Sequence, residues 1–306
     1  MSRRLALNTA GFVVAALVVA VLPRFISSYH ALEWANVGIY FVALLGLNVL
    51  TGYSGQVSLG HGAFMAIGGY TSAILIAHHG VHDVWTIPLA GLVAGGAGLA
   101  FGLPALRLTG LYLALATFAV AVAFPALARK FERFTGGNAG LVLTLHTNDW
   151  LYYLSWSIAG AGLLLGWLVL ATPIGRSFRA LRDSEVAAIS SGISPALYKT
   201  LAFGISSFYA GIAGSLVAIS TAYVNPQTFP ITLSLFLVVG LAVGGLGSLP
   251  GSVVGAILIQ FLPTYAAHVS KQAPQVIEGA ILVGVMLLLP GGAAGLFRLV
   301  QSSRQP

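Results

Sequence analysis

The sequence predicts an all-α integral membrane protein, a polytopic helical bundle of about ten transmembrane helices (range about 8–10). Three observations predict this class. Of the 306 residues, 58% are hydrophobic and only 7% are Asp, Glu, Lys or Arg, whereas a soluble domain carries about 25% charged residues. Apolar runs recur along the chain, and each approaches the roughly 20 residues that a span requires. Lipid is therefore the expected solvent, and residues 1–306 are expected to form a single membrane domain.

The apolar runs place candidate spans near residues 5–22, 31–51, 57–77, 84–103, 108–128, 150–172, 198–223, 231–249, 251–268 and 275–290. The third and ninth runs follow glycine-rich breaks and could be short or re-entrant. Broken backbone at membrane depth survives only where protein or a water-filled cavity surrounds it. The basic and then apolar N-terminus could also be a signal peptide. No small-x-small cleavage site follows Val21, which favours an uncleaved first span.

The basic residues predict the orientation. With the N-terminus in the cytoplasm, nine of the 14 Lys and Arg residues fall in cytoplasmic loops and five on the other side. This bias agrees with the positive-inside rule, so both termini are predicted to be cytoplasmic. The RKFER cluster at 129–133 is an exception on the outer side. The net charge of +7 forms no long basic face, so no nucleic-acid partner is predicted.

Two segments share a layout of a glycine-rich break and a helix start with serine and small residues. They are TGYSGQVSLGHGAFMAIGGY at 51–70 and VGGLGSLPGSVVGAILIQFL at 243–262. Interrupted segments in corresponding halves of a transporter indicate an inverted repeat around a central pathway. The alternative is a coincidence among small residues, because the chain contains 38 glycines.

The first of these breaks places Gln56, Ser58 and His61 at membrane depth. Such side chains need partners, because an unpaired polar group in hydrocarbon costs several kcal/mol. Either they line a wet translocation pathway, or they form hydrogen bonds between helices of the subunit. The second interpretation suits Gln56 and Ser58 slightly better. His61 is the strongest pathway candidate, since intramembrane ionisable residues are functional candidates. Asn48 and Asn138 are weaker ones.

The run HHGVHD at 78–83 has a spacing that could hold a metal ion. A short polar turn outside the membrane explains the same residues more simply, so no metal site is predicted. The chain has no cysteine, which excludes disulfides and thiol chemistry.

The most polar stretch lies at 174–194 and includes Arg182, Asp183 and Glu185. Its apolar residues recur near i, i+3 or i+4, and i+7, which predicts a short amphipathic helix. Gly192 can end this helix, and Pro195 can begin the next one. A cytoplasmic helix too short to span must contact either the headgroup layer or a partner protein that pushes on it.

This stretch resembles a known family. Ala187-Ala188-x-x-x-Gly192-Ile193, between RDSE and YKxxAF, is similar to the EAA-type coupling segment of ABC importer permeases. Four further segments, in order, resemble branched-chain amino acid ABC permeases of the LivM type: GYSGQVSLGHGAF (52–64), LRLTGLYLALATF (106–118), FTGGNAGL (134–141) and GGLGSLPGSVVGA (244–256). The resemblance covers most of residues 35–295. In two departures, Val186 stands where the family has the EAA glutamate, and AVAVAFP follows ALATF where an acidic residue is frequent.

The resemblance implies a permease subunit of an importer in the bacterial inner membrane. A second, different permease subunit would complete the pathway, two ATP-binding cassette subunits would dock on the coupling helices, and a periplasmic binding protein would deliver leucine, isoleucine, valine or a related amino acid. The chain lacks a G-x-x-x-x-G-K-[ST] phosphate loop, so ATP is expected to bind only to partners, and no cofactor is expected. The implied ATPase contact comprises three small residues, which pack in a partner groove, and three charges, which orient docking: Ala187, Ala188, Gly192, Arg182, Asp183 and Glu185.

Two other classes of membrane protein fit these residues less well. A self-sufficient secondary transporter often has membrane-embedded carboxylates for ion coupling. An intramembrane enzyme would need a nucleophile and a base on facing helices, and no such motif is present, so the chain is predicted not to be an enzyme. Outside the coupling stretch, the acidic residues all fall near predicted span ends, which argues against the secondary transporter: Glu33, Asp83, Glu132, Asp149 and Glu278.

Overall fold

The computed structural model describes residues 21–106, 108 and 110–269, with isolated positions at 19, 276, 279–281, 284 and 292. Regular structure in this part of the chain is almost entirely helical, and long apolar helices dominate it. The predicted class, an all-α membrane protein, is therefore confirmed. Eight of the ten predicted spans fall on described helices. The first and last, at 5–22 and 275–290, lie mostly outside the described residues.

The helices follow the apolar runs, and their bounds are α1 Ser28–Leu47, α2 His61–His79, α3 Asp83–Ala105, α4 Leu111–Lys130, α5 Glu132–Thr135, α6 Asn148–Ala171, α7 Pro173–Asp183, α8 Glu185–Ser190, α9 Pro195–Thr221, α10 Ile231–Gly244 and α11 Ser252–Val269. A 3₁₀ turn at Leu22–Arg24 precedes α1, and α1 continues into a π-helix at Asn48–Tyr53. Two short strands, β1 at Leu141–Val142 and β2 at Tyr223–Val224, complete the fold.

Five segments of the described residues are long and apolar enough to cross a membrane: Ser28–Tyr53, Asp83–Ala105, Leu111–Lys130, Asn148–Ala171 and Pro195–Thr221. Two further apolar helices are shorter, at Ile231–Gly244 and Ser252–Ala267. The helix α2 is 19 residues long and begins and ends with histidine. Both predicted glycine-rich breaks are present, because no helix covers residues 54–60 or 245–251.

The helices α1 and α9 form the centre of the bundle. In their most apolar stretches 83% and 78% of the residues are buried, against 28% in both α4 and α6. Glycines allow the central backbones to approach closely. A Cβ at Gly68 would overlap the backbone of Gly211, and one at Gly214 would overlap that of Met65. Such packing of small residues holds helices together in lipid, where burial of apolar surface gives little driving force.

The outer helices direct large apolar side chains away from the bundle. A belt of this kind is unfavourable in water and suits contact with lipid or with other membrane subunits. On α3, α4 and α6 the exposed side chains include Trp85, Leu92, Leu103, Leu111, Tyr112, Val122, Leu164 and Trp167.

The helix α9 defines two ends of the molecule. Its 27 residues span about 40 Å. Beside its first turns lie α7, α8 and the break at 54–60, and we call this region the α8 end. Beyond its last turn, β1 and β2 pair antiparallel, with Leu141 opposite Val224, and we call this region the strand end. Because Asp83 pairs with His146, which follows β1, the start of α3 also lies there.

Candidate functional site

A buried asparagine joins the two glycine-rich breaks. The Asn48 side chain is fully buried at the start of the π-helix. Its Nδ2 donates to the Ser248 carbonyl at 2.9 Å and to Ser252 Oγ at 3.0 Å, and its Oδ1 accepts from the Gly247 amide at 2.9 Å. We call these four residues the Asn48 clamp. The clamp fixes the turn at 245–251 to the end of α1, although the two lie about 200 residues apart in sequence.

Glycine makes this approach possible. A Cβ at Gly52 would overlap the Asn48 amide oxygen and come within 2.5 Å of the Gly247 nitrogen. Gly247 has φ of +75°, a conformation that side chains other than glycine adopt only with strain. The glycines that interrupt the apolar pattern are thus the positions where two backbone segments meet.

The predicted pathway residues are buried and hydrogen-bonded inside the subunit. Gln56 Nε2 donates to Ser54 Oγ at 2.8 Å and to the Lys199 carbonyl at 3.3 Å. Ser58 Oγ accepts from the Gly60 amide at 3.3 Å, and His61 Nε2 bonds the Ala43 carbonyl at 2.9 Å. These partners satisfy groups that would be costly at membrane depth. A role of Gln56, Ser58 and His61 in lining a pathway stays a prediction.

The predicted coupling segment folds as two short helices. Ser184 separates α7 from α8, because its backbone is extended and its Oγ caps α8 by accepting from the Ala187 amide at 3.3 Å. Gly192, at φ of +79°, follows α8, and α9 begins at Pro195, as predicted. The sequence predicted one helix here, and the Ser184 cap explains the break.

The two helices bury one face and expose the other. Phe178 and Leu181 anchor α7 in the core, and Ala188 anchors α8. Val186 is 76% exposed and Ile189 54% exposed on the outer face of α8. Of the two alanines predicted to enter a partner groove, Ala187 is exposed and Ala188 is buried within the chain.

The three charges predicted to orient docking have different surroundings. Arg182 turns inward: its Nη1 donates to the Gly52 carbonyl at 2.9 Å, while Nε and Nη2 each reach Asp183 Oδ1 at 3.0 Å. Glu185 pairs with Lys199 Nζ at 2.7 Å. The Asp183 side chain is 66% exposed. The contact of Arg182 with Gly52, 130 residues away, has no signal in the local sequence, since spacing does not reveal tertiary neighbours. Glu185 meets Lys199 across the turn between α8 and α9.

The remaining candidates lie at the strand end. Asn138 lines an open cavity of about 420 Å³ together with Arg129, Asn225 and Gln227. In the HHGVHD run, Asp83 begins α3 and pairs with His146. Within the described ranges, no three side chains of the types that bind metals come together.

Comparison with known proteins agrees with this architecture. Residues 30–290 match the family described as the branched-chain amino acid transport system permease component. The chain is 32% identical to the high-affinity branched-chain amino acid transport permease LivM of Escherichia coli (strain K12), over 94% of this chain and 75% of that protein. It is 24% identical to the permease LivH of the corresponding system in Salmonella typhimurium, over 84% of this chain and 91% of that protein.

More distant similarity extends to another transporter. The galactofuranose transporter permease YtfT of Escherichia coli (strain K12) is 27% identical over 85% of this chain and 80% of that protein. No solved structure matches the chain. The LivM-type resemblance noted in the sequence is confirmed, and the relatives are transport subunits, not enzymes. The chain belongs to the family of permease components of branched-chain amino acid transport systems.

Proposed function

We propose that this chain is one of two different permease subunits of an ABC importer in the bacterial inner membrane. Its cargo would be leucine, isoleucine, valine or a related amino acid, delivered by a periplasmic binding protein. The identity to LivM is higher than that to LivH, 32% against 24%, which supports the M-type role and a partner of different sequence. The galactofuranose relative makes the cargo the least constrained part of the proposal.

The exposed face of α8 is the observation that carries the proposal. Val186 and Ile189 project from a six-residue helix that cannot span a membrane, and buried Phe178 and Leu181 hold the adjacent helix firmly. An apolar face on a rigid support fits a groove in a partner protein. We assign this face to the ATP-binding cassette subunit, one copy of which would dock on each permease. Asp183, with its exposed carboxylate, would orient that docking.

Closure of the ATPase pair on ATP would displace residues 174–194 and switch access to the pathway. In this proposal the amino acid enters at the strand end and passes between the two permeases. Gln56 and Ser58 lie in the break at 54–60, and His61 begins α2 directly after it. Their polar groups could exchange intrasubunit partners for water or cargo as this break opens. The few charges along the spans suit weak, transient contact with a zwitterionic cargo.

The finer architecture is part of the same proposal. Residues 1–306 would form one permease domain with about ten spans, both termini would be cytoplasmic, and the segments at 51–70 and 243–262 would belong to an inverted repeat. Support for the repeat comes from the Asn48 clamp, which brings a glycine-rich break of each half into contact. Support for the orientation comes from the nine-to-five division of the 14 basic residues.

Affinity purification tests the assignment of the ATPase contact. The tagged chain is extracted from its native membrane in mild detergent, and the copurifying proteins are identified by mass spectrometry. ATPase subunits and a second permease should copurify with the wild-type chain. Val186→Arg should abolish ATPase copurification, because it places a charge in the apolar contact. Val142→Arg is the matched control, since Val142 is 74% exposed at the opposite end.

The control should retain the ATPase subunits. Equal loss in both variants would show that the charge disturbs the chain and not the contact. A chain that purifies alone and still transports amino acids after reconstitution would refute the importer and favour a self-sufficient transporter.

A further inference from the structure

Arg182 lies where the coupling segment meets both glycine-rich breaks. It is in the last turn of α7, and its side chain points toward the backbone of the π-helix and of the 245–251 turn. We infer that Arg182 and the Asn48 clamp form a link in series, which carries a displacement of α7 and α8 into both breaks. This inference rests on the proposed function, since the displacement would come from the ATPase partner.

The first step of the link is the contact between Arg182 and the π-helix. Its Nη1 donates to the Gly52 carbonyl at 2.9 Å, and the same nitrogen lies 3.4 Å from the position that a Cβ on Gly247 would occupy. The aliphatic part of Arg182 packs on the other side against Gly55, where a Cβ would lie 3.0 Å from Arg182 Cγ. The Arg182 side chain, which is 38% exposed, thus lies beside glycine backbone of both segments.

Asp183 contacts the other nitrogens of this guanidinium. Arg182 Nε and Nη2 both reach Asp183 Oδ1 at 3.0 Å, which leaves Nη1 directed at the Gly52 carbonyl. The planar fork of arginine gives these contacts defined directions, and the exposed Asp183 carboxylate remains accessible to a partner. A lysine would supply charge without the fork. Arg182 therefore differs from a docking charge, because its hydrogen bonds run inward to its own chain.

The second step is the Asn48 clamp. Asn48 and Gly52 belong to the same π-helix, and the Asn48 amide engages the second break with both of its donor hydrogens and its acceptor oxygen. Asn48 and Ser252 are fully buried, and Gly247 and Ser248 are partly buried, which limits the competition of water for these bonds. A pull on Gly52 is therefore transmitted to Gly247 and Ser248.

Space beside the link permits movement. An open cavity of about 180 Å³ lies next to it, lined by Tyr53 of the π-helix, Leu249 of the second break, and Trp167, Leu170 and Arg179. Closely packed protein resists small displacements, and rearrangement requires alternative positions for the moving groups. The π-helix and the second break border this space, so both have room to shift.

A reconstituted complex with the second permease, ATPase subunits and binding protein provides the test, with radiolabelled leucine, isoleucine and valine as cargo. Arg182→Gln should keep the ATPase subunits bound and ATP hydrolysis close to that of the wild type. Transport per ATP hydrolysed should fall about tenfold, as expected for the loss of a coupling contact. Arg176→Gln is the matched control: it removes the same charge from α7, and the exposed Arg176 side chain has no hydrogen bond or ion pair to any residue that the structure describes.

A double-mutant cycle tests the series arrangement. Asn48→Ala should lower transport per ATP hydrolysed as Arg182→Gln does. The double variant should be no worse than either single variant, because either substitution alone already interrupts the link. A double variant whose loss of transport equals the product of the two single losses would overturn the inference, as would normal transport by Arg182→Gln. Loss of ATPase binding by Arg182→Gln alone would make Arg182 a docking charge. Failure of the wild-type complex to assemble would refute the proposed function itself.

Spin labels test the link without altering Arg182, even if that variant does not fold. The chain has no native cysteine, so labels at Arg176→Cys on α7 and Leu246→Cys report only these exposed positions, and both lie outside the proposed ATPase contact. Their separation should stay constant between nucleotide-free and ATP-trapped complexes, while both move relative to a label at Val142→Cys. A changed separation between 176 and 246, or no movement of either against 142, would overturn the inference.

Discussion

The α8 end and the strand end hold distant segments together in different ways. At the α8 end, single side chains reach across the chain: Arg182 bonds a carbonyl 130 residues away, and Asn48 bonds one 200 residues away. At the strand end, backbone pairing of β1 with β2 is accompanied by side-chain contacts at exposed or partly buried positions, which include Tyr223 with Ala139, Asn148 with Ser28 and Asp83 with His146. Asn225 bonds its near neighbours Gln227 and Thr228.

The two ends should respond differently to substitutions that remove these contacts. Loss of a buried side-chain contact leaves polar groups without partners, which is costly. Backbone pairing persists through most substitutions, and exposed polar groups can form hydrogen bonds with water instead. The α8 end is therefore suited to transmitting a displacement between segments. The strand end, with its open polar cavity, is suited to receiving a partner or cargo without relaying strain. Substitutions matched between the two ends separate these properties.

The largest effect is expected from Asn48→Leu. It removes the partner of the partly buried Gly247 amide and the shorter bond to the Ser248 carbonyl, so that Ser252 Oγ keeps only its 3.4 Å bond to that carbonyl. An unsatisfied buried group costs about 1–3 kcal/mol, so thermal unfolding in detergent should shift to lower temperature. The matched change Asn225→Leu removes an acceptor from Gln227 and Thr228 in a half-buried loop, where water can replace it. Equal shifts for the two variants would remove the proposed contrast between the ends.

A smaller effect is expected from Gly55→Ala, with Gly80→Ala as its counterpart at the strand end. Both glycines have positive φ, +74° and +61°, so alanine costs about 1 kcal/mol at either position. At Gly55 the new methyl would also press on Arg182 at 3.0 Å, whereas at Gly80 no atom lies within 4 Å. Gly55→Ala should therefore lower thermal stability more and also reduce transport. Transport by Gly80→Ala should match the wild type, and loss in both would make backbone strain the cause.

The positions of most helices could be predicted from the sequence, because each apolar run had the length and composition of a span. It also predicted the end of the coupling segment at Gly192 and the start of α9 at Pro195, since those residues act locally. The break between α7 and α8 was missed, although Ser184 before a short apolar run is a recognisable N-cap. The N-cap signal is present at Ser184, but the amphipathic periodicity of the whole stretch favours one continuous helix.

The side-chain contacts at the α8 end could not be predicted from the sequence alone. Asn48 was noticed only as a polar residue within a span, and nothing nearby indicates Gly247 or Ser252 as its partners. Arg182 and Glu185 are predicted to be docking charges, and this role stays a prediction, since both side chains are partly exposed. The contact of Arg182 with Gly52 depends on how helices distant in sequence pack, and that of Glu185 with Lys199 depends on the turn between α8 and α9. Side-chain roles at this end therefore require the fold first.

The smallest effect concerns one side-chain pair at each end. Glu185 and Lys199 are 43% and 15% exposed, so a double-mutant cycle with Glu185→Gln and Lys199→Gln should give a coupling energy of at most about 1 kcal/mol in thermal unfolding. Because salt screens exposed charges, this coupling should shrink as ionic strength rises. Asp83 and His146 at the strand end are 10% and 24% exposed, so the cycle with Asp83→Asn and His146→Gln should change less with salt. A Glu185–Lys199 coupling that is independent of salt would show that the pair is shielded by its surroundings, and the α8 end would then be more rigid than its exposure indicates.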